Sequence, residues 1–384
     1  MNTSSTSQDF LLRLEPNLSV VQEVLTYCQL RFTPIDDRVF QMKPHVHHPQ
    51  IPTWQAYIEE AHSEGVFTTL QRYLTAFQFP IEEGISQSAA YRAATKQGRA
   101  PQHQSQRLTL QSPHTLSLYL YKSVAGTIPV LIVPHPADFA DIIRALAYKN
   151  EPRPIPASMG ASLLSGLNNW HRIHKLKAEW EQQNPRQSWN HHFRSQILPN
   201  KDLYQDRLII LSEKSYSGVS PEAVGLDETT WLQYSNSIRL AHEVTHYFTK
   251  QYMGGMHVHL HDETVADYMG IKEATGRFQT EWFLCFMGLE ASTYRSGGRM
   301  ENYIIQANLS DLAQQLLQEM LRLAAQELAL FDQALPSPHS SLSKVMELAT
   351  LCMFSLDKMA QPNAHQHMLT YFTDLQAKYV SFLA

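Results

Sequence analysis

Five residues, His242-Glu-Val-Thr-His246, constrain this 384-residue chain more than any other stretch. Residues four apart on a helix share a face, so two imidazoles at that spacing can close on one metal ion, and the glutamate beside the first can reach the same ion's water. The flanks carry a helical pattern. Leu232, Ile238, Ala241, Val244, Thr245 and Phe248 form a mostly apolar stripe, Thr229 or Thr230 can cap the start, and Gly254-Gly255 stops it, which predicts a helix over 229–253.

Two histidines do not complete a catalytic zinc site, which normally has three protein ligands and an open position. Beyond the glycines, Asp262 can cap a second helix over 262–275 that carries Glu263 and Asp267 four apart. Glu263 can ligate the ion while Asp267 orients a ligand histidine from behind. HExxH followed by a helix bearing ExxxD resembles the gluzincins, the thermolysin-like clan of zinc peptidases. That resemblance covers residues 207–275 and implies His242, His246 and Glu263 as zinc ligands, Glu243 as general base and Asp267 as the partner of His242. Sixteen residues separate His246 from Glu263, a shorter gap than in thermolysin, so the connecting loop must differ.

With 43% hydrophobic residues the chain can bury a core, and its net charge of −5 with scattered Lys and Arg leaves no basic surface for nucleic acid. Cys28, Cys285 and Cys352 are distant in sequence and lack CxxC spacing, which argues against both a disulfide framework and a cysteine zinc site. The N-terminus lacks a basic segment followed by an apolar run, and no stretch of eighteen apolar residues occurs. A cytoplasmic protein with no membrane association, acting on a peptide or protein substrate, is the expectation.

The expected fold class is α+β and predominantly helical: a zincin-like metalloprotease domain with a small β-sheet and a helical C-terminal part. Residues 1–106 read as a mainly helical N-terminal region, and 107–384 as the zincin-like catalytic region. In the first, a helical pattern runs over 53–77 with Gly65 as an interruption, another helix covers 84–98, and the polar, basic stretch 98–106 reads as an exposed loop. In the second, a hairpin is expected within 107–134, a helix over 137–148, helical pattern through 157–183, and C-terminal helices within 278–382. The β-branched run at 207–212 reads as a strand, and the clan resemblance makes it an edge strand that pairs with an extended substrate above the HExxH helix.

Acyl transfer also needs a donor for the developing oxyanion. The loop between the first two C-terminal helices offers Tyr294, Arg299 and Tyr303, although it reads equally as a glycine turn with surface arginines. The leading functional reading is a zinc-dependent metallopeptidase in which the metal acidifies water and Glu243 takes its proton. Two alternatives stand beside it. One takes His261-Asp262 as the metal pair of an HD-type phosphohydrolase, which leaves the HExxH spacing unused; the other is a non-catalytic zincin-like binding protein. His257, His259 and His261 alternate in direction if extended and could form a second metal site.

Overall fold

Local signals set most element ends. Asp227 accepts from the Thr230 amide at 2.9 Å and caps a helix over Glu228–Tyr252, taking the place expected for Thr229 or Thr230. The following helix, Leu260–Thr275, starts two residues earlier than expected because His259 is its cap, its ring accepting from the His261 amide at 3.2 Å. Asp262 is thereby freed from capping. These elements come from a computed structural model that describes residues 3–35, 48–99, 106–336 and 340–380; most of the 98–106 stretch lies outside the described residues. The architecture is α+β, predominantly helical, with one mixed four-stranded sheet. Among the described residues no helix is long and apolar enough to cross a membrane.

The chain divides into two compact units, Met1–Pro44 with Ser215–Ala384, and His45–Lys214, rather than at residue 106. The second unit is thus inserted within the sequence of the first. It holds the sheet, made of β1 (Ser117–Ser123), β2 (Gly126–Val133), β3 (Ala161–Asn168) and β4 (Gln205–Ser212) in the order β1-β2-β4-β3. The expected hairpin is β1 and β2, paired antiparallel from Ser117 opposite Ile132 to Ser123 opposite Gly126.

Two sequence expectations fail in this unit. Residues 157–183 are not one helix: β3 occupies 161–168, and Asn169 then caps a helix over Trp170–Gln183. The run Ala161-Ser-Leu-Leu-Ser-Gly-Leu-Asn168 suits either state locally, and antiparallel pairing with β4 selects the strand. Nor is the 207–212 strand an edge. β4 is central, parallel to β2 on one side and antiparallel to β3 on the other, with Leu208 to Ser212 all buried. A continuous apolar run such as Leu208-Ile-Ile-Leu211 is what a strand covered on both faces requires, and its backbone groups are already paired, so it cannot take an extended substrate. Trp54, Leu70, Phe77, Leu131, Ile142 and Ile210 close the core between this sheet and the unit's helices.

The first unit is helical. Its Leu18–Tyr27 helix packs on the long Asp311–Ala334 helix, and the Thr33 amide donates to the Met253 carbonyl at 3.0 Å, which ties the N-terminal residues to the end of the HExxH helix. The C-terminal helices Thr280–Met287, Ser341–Met353 and Ala364–Val380 fall within the expected 278–382. At the centre the HExxH and ExxxD helices lie against each other. They approach tightly at Gly270, where a Cβ would stand 2.9 Å from the Ile238 carbonyl oxygen, so only glycine permits this spacing.

Candidate metal centre

His242 and His246 sit on the buried face of the Glu228–Tyr252 helix, and Glu263 faces them from the first turn of Leu260–Thr275; all three are under 8% exposed. Their donor atoms converge. The two Nε2 atoms are 3.0 Å apart, and the Glu263 carboxylate oxygens lie 3.4 Å from His242 Nε2 and 3.5 Å from His246 Nε2. No other set of His, Cys, Asp and Glu among the described residues converges in this way.

Behind each imidazole stands a carboxylate. His242 Nδ1 lies 2.9 Å from Asp267 Oδ1. A carboxylate only accepts, so Nδ1 carries a proton, and Nε2 is the atom turned toward Glu263. Tyr216 donates its hydroxyl to the same Asp267 oxygen at 2.7 Å and accepts from Arg299 Nη1 at 2.7 Å, while Arg299 Nη2 binds the other Asp267 oxygen. Asp267, fully buried, is therefore held by an imidazole, a phenol and a guanidinium. His246 has a carboxylate of its own, since Asp262 Oδ1 faces its Nδ1 at 3.3 Å. Neither atom has a well-aligned hydrogen-bond partner, so it is these two buried atoms that face each other. Asp262 Oδ2 meanwhile accepts from the His257 amide at 2.6 Å.

The electrostatics agree with this geometry. Burial works against charge on His246, but Asp262 and Glu263 outweigh it and hold that imidazole well above its ordinary range; His242 is raised likewise, against burial, by Asp267 and Glu263. Glu263 is driven well below the carboxylate range by the two imidazoles despite its burial. Asp267 is lowered by Arg299 and His242, again against burial. Burial pushes the Tyr216 phenol well up, so it stays a donor.

A cation fits this arrangement. Ligands at zinc-like bond lengths around a tetrahedral ion stand about 3.3–3.6 Å apart. The observed separations are of that order, 3.0 Å between the two imidazoles and 3.4 and 3.5 Å from them to the two Glu263 oxygens. Two imidazoles and a carboxylate meet there in a buried space; without metal the imidazoles hold protons toward Glu263, and a bound cation would take the place of those protons. His242, His246 and Glu263 can therefore hold a metal ion.

Glu243 follows His242 on the same helix and is 7% exposed. Of the three loop residues singled out as oxyanion donors, Tyr303 joins the cluster, donating to Glu263 Oε2 at 2.8 Å. Arg299 also joins it, but spends both Nη groups on Asp267 and Tyr216, so it buttresses Asp267 rather than facing a substrate. Tyr294 donates to Gly298 O at 2.8 Å and braces the glycine loop instead. Sequence reasoning missed Tyr216, which lies between the 207–212 strand and the HExxH helix where no site residue was expected, and the pairing of Asp262 with His246. Asp262 could have been found, one residue before Glu263 on a helix already facing His246; nothing in the sequence marks Tyr216.

The neighbouring histidines do not form a second centre. His259 Nε2 donates to Tyr27 O at 2.9 Å and its Nδ1 accepts from the His261 amide, so both nitrogens are committed. His261 Nε2 lies 3.0 Å from Leu351 O while Asp262 faces His246, so the adjacent pair diverges and does not present an HD-type metal site. Burial lowers His259 to about 4 and lowers His261 as well, which keeps both neutral.

Comparison with known proteins identifies the chain as belonging to the Family of unknown function (DUF7005), matched over residues 9–363. No curated protein and no solved structure matches it.

Proposed function

We propose that this DUF7005 chain is a zinc-dependent metallopeptidase of zincin-like fold, hydrolysing a peptide or amide bond. The observation that carries the reading is the convergence of His242 Nε2, His246 Nε2 and the Glu263 carboxylate, each imidazole backed by its own carboxylate and Glu243 adjacent to His242. These three residues would hold the ion, as three protein ligands do in catalytic zinc sites. When bound, zinc supplies a Lewis acid that acidifies water and polarises a carbonyl. Asp267 and Asp262 fix the imidazoles in the tautomer that ligates, a role whose loss typically costs 10- to 100-fold in affinity. Glu243 takes a proton from the attacking water and returns it to the leaving nitrogen. The Tyr303 hydroxyl, now on Glu263, is the donor nearest the centre from the C-terminal loop and can turn to the oxygen that gains charge.

Metal analysis of the purified chain joined to a peptide-library cleavage assay tests the reading. One zinc per chain and cleavage are expected. Glu243→Gln keeps the ligands and the shape, so it should retain zinc while turnover falls by about 10²–10⁴-fold. Glu263→Ala deletes a ligand, so it should lose zinc first, with partial rescue by excess metal. Full activity in Glu243→Gln on a substrate that the wild type cleaves would end this mechanism; loss of zinc from it as readily as from Glu263→Ala would make Glu243 a ligand.

A further inference from the structure

Within the inserted unit, far along the chain from the metal ligands, a cavity of about 440 Å³ opens between the Ala89–Gln97 helix, the end of the Pro136–Ala147 helix and β3. Its lining carries three cations, Arg92, Lys96 and Lys149, and no carboxylate. The acidic group next to it in sequence, Glu151, spends its oxygens on the Gly84 and Ser86 amides at 2.8 and 2.9 Å. In a chain of net charge −5, a concave surface with three positive side chains and no negative one is a departure that calls for a ligand.

The backbone around the cavity is specialised in two further ways. Lys149 and Asn150 both adopt left-handed conformations, φ 57° and 61°, which side-chain-bearing residues rarely hold without support. The support is visible: Asn150 is fully buried, donates to Ala76 O and Phe79 O at 2.9 and 3.0 Å, and accepts from the Tyr91 hydroxyl at 3.2 Å. That network fixes the turn which carries Lys149 at the cavity. Opposite it, β3 is the outer strand of the sheet, and its pairing with β4 is broken by a register shift between Ser165 and Leu167, with Gly166 at φ 85° lining the cavity. A bulge there spoils the edge for strand addition and leaves a discrete pocket.

We infer that this cavity binds a small phosphomonoester. A phosphate monoester carries about −1.5 to −2 charge near neutrality and three acceptor oxygens, which matches one guanidinium and two ammonium groups; a single carboxylate, at −1, would leave most of that charge uncompensated. Leu74, Ala145, Leu146, Leu164 and Leu167 form the apolar part of the wall and take the organic portion of the ligand. The volume suits a molecule the size of a mononucleotide.

Isothermal titration of the full, metal-loaded chain with inorganic phosphate, phenyl phosphate and adenosine 5′-monophosphate tests this, with adenosine and citrate as controls. At least one phosphomonoester is expected to bind at one per chain, more tightly than inorganic phosphate, and adenosine not at all. Lys149→Gly removes the cation while relieving the left-handed strain, so the fold should be kept or strengthened while affinity falls by about 10-fold or more; Arg92→Gln should weaken binding similarly. Zinc content should be unchanged in both. Failure of all three phosphates to bind, binding undiminished in both variants, or citrate binding more tightly than every phosphate would overturn the assignment.

Discussion

Asp267 and Asp262 each stand behind a ligand histidine, yet they should respond differently to the same change of carboxylate to amide. Asp267→Asn removes the charge that answers Arg299, whose side chain is only 13% exposed, and turns an amide or an uncharged oxygen toward its guanidinium. A guanidinium cannot give up its proton in a protein, so the buried cation stays and goes unanswered. Breaking such a pair from one side costs about 3–5 kcal/mol, a large part of the 5–15 kcal/mol that typically holds a domain together. Asp262→Asn leaves only His246 without a carboxylate behind it, and an imidazole can shed its charge; the retained amide oxygen still accepts from the His257 amide. The expected cost is about 1–2 kcal/mol. Both variants should bind zinc about 10- to 100-fold more weakly, because each loses an orienting partner. Urea denaturation of the chelator-stripped protein reads the first quantity, and competition with a chromogenic chelator reads the second. Equal destabilisation by the two variants would refute the account of Arg299, and wild-type zinc affinity in Asp267→Asn would refute that of His242.

The helix contact sets a second expectation: Gly270→Ala gains about 0.5–1 kcal/mol of helix propensity but must push the Ile238 carbonyl away, at about 1–3 kcal/mol. A net loss of thermal stability with weaker zinc binding is expected, since Glu263 and Asp267 ride on the displaced helix; a stabilised protein would count against the packing described. Tyr303→Phe removes the hydroxyl on Glu263 and should lower turnover at saturating zinc by about 10- to 100-fold with zinc affinity less affected; unchanged turnover would exclude Tyr303 from the chemistry. Zinc loading should fall as pH is lowered, and the loss should begin above the ordinary imidazole range. In the metal-free chain both ligand imidazoles hold protons more tightly than usual, so metal must displace them, and protons win increasingly as pH drops. Chelator competition from above that range downward checks it, and pH-independent loading would contradict the protonated cluster.

What the sequence determined by itself is local. The spacing of His242, Glu243 and His246, and of Glu263 and Asp267, follows from 3.6 residues per turn, so the residues that could hold a metal and their helices could be read before any fold was known, to within two residues at each end. The β1–β2 hairpin, from alternation on either side of a turn, and the C-terminal helices, from helical periodicity, were legible from equally local signals. Tertiary structure decided what depends on residues distant in sequence. The run 207–212 looks alike as an edge or a central strand until β2 and β3 pair with it, and 161–168 becomes a strand only because β4 accepts it. Tyr216 and Arg299, 83 residues apart, meet on Asp267 through packing that no short window encodes. Arg299 read equally as a surface charge or an oxyanion donor, and its actual place came from the need to neutralise a buried guanidinium against a buried carboxylate, a condition that exists only once the helices have closed.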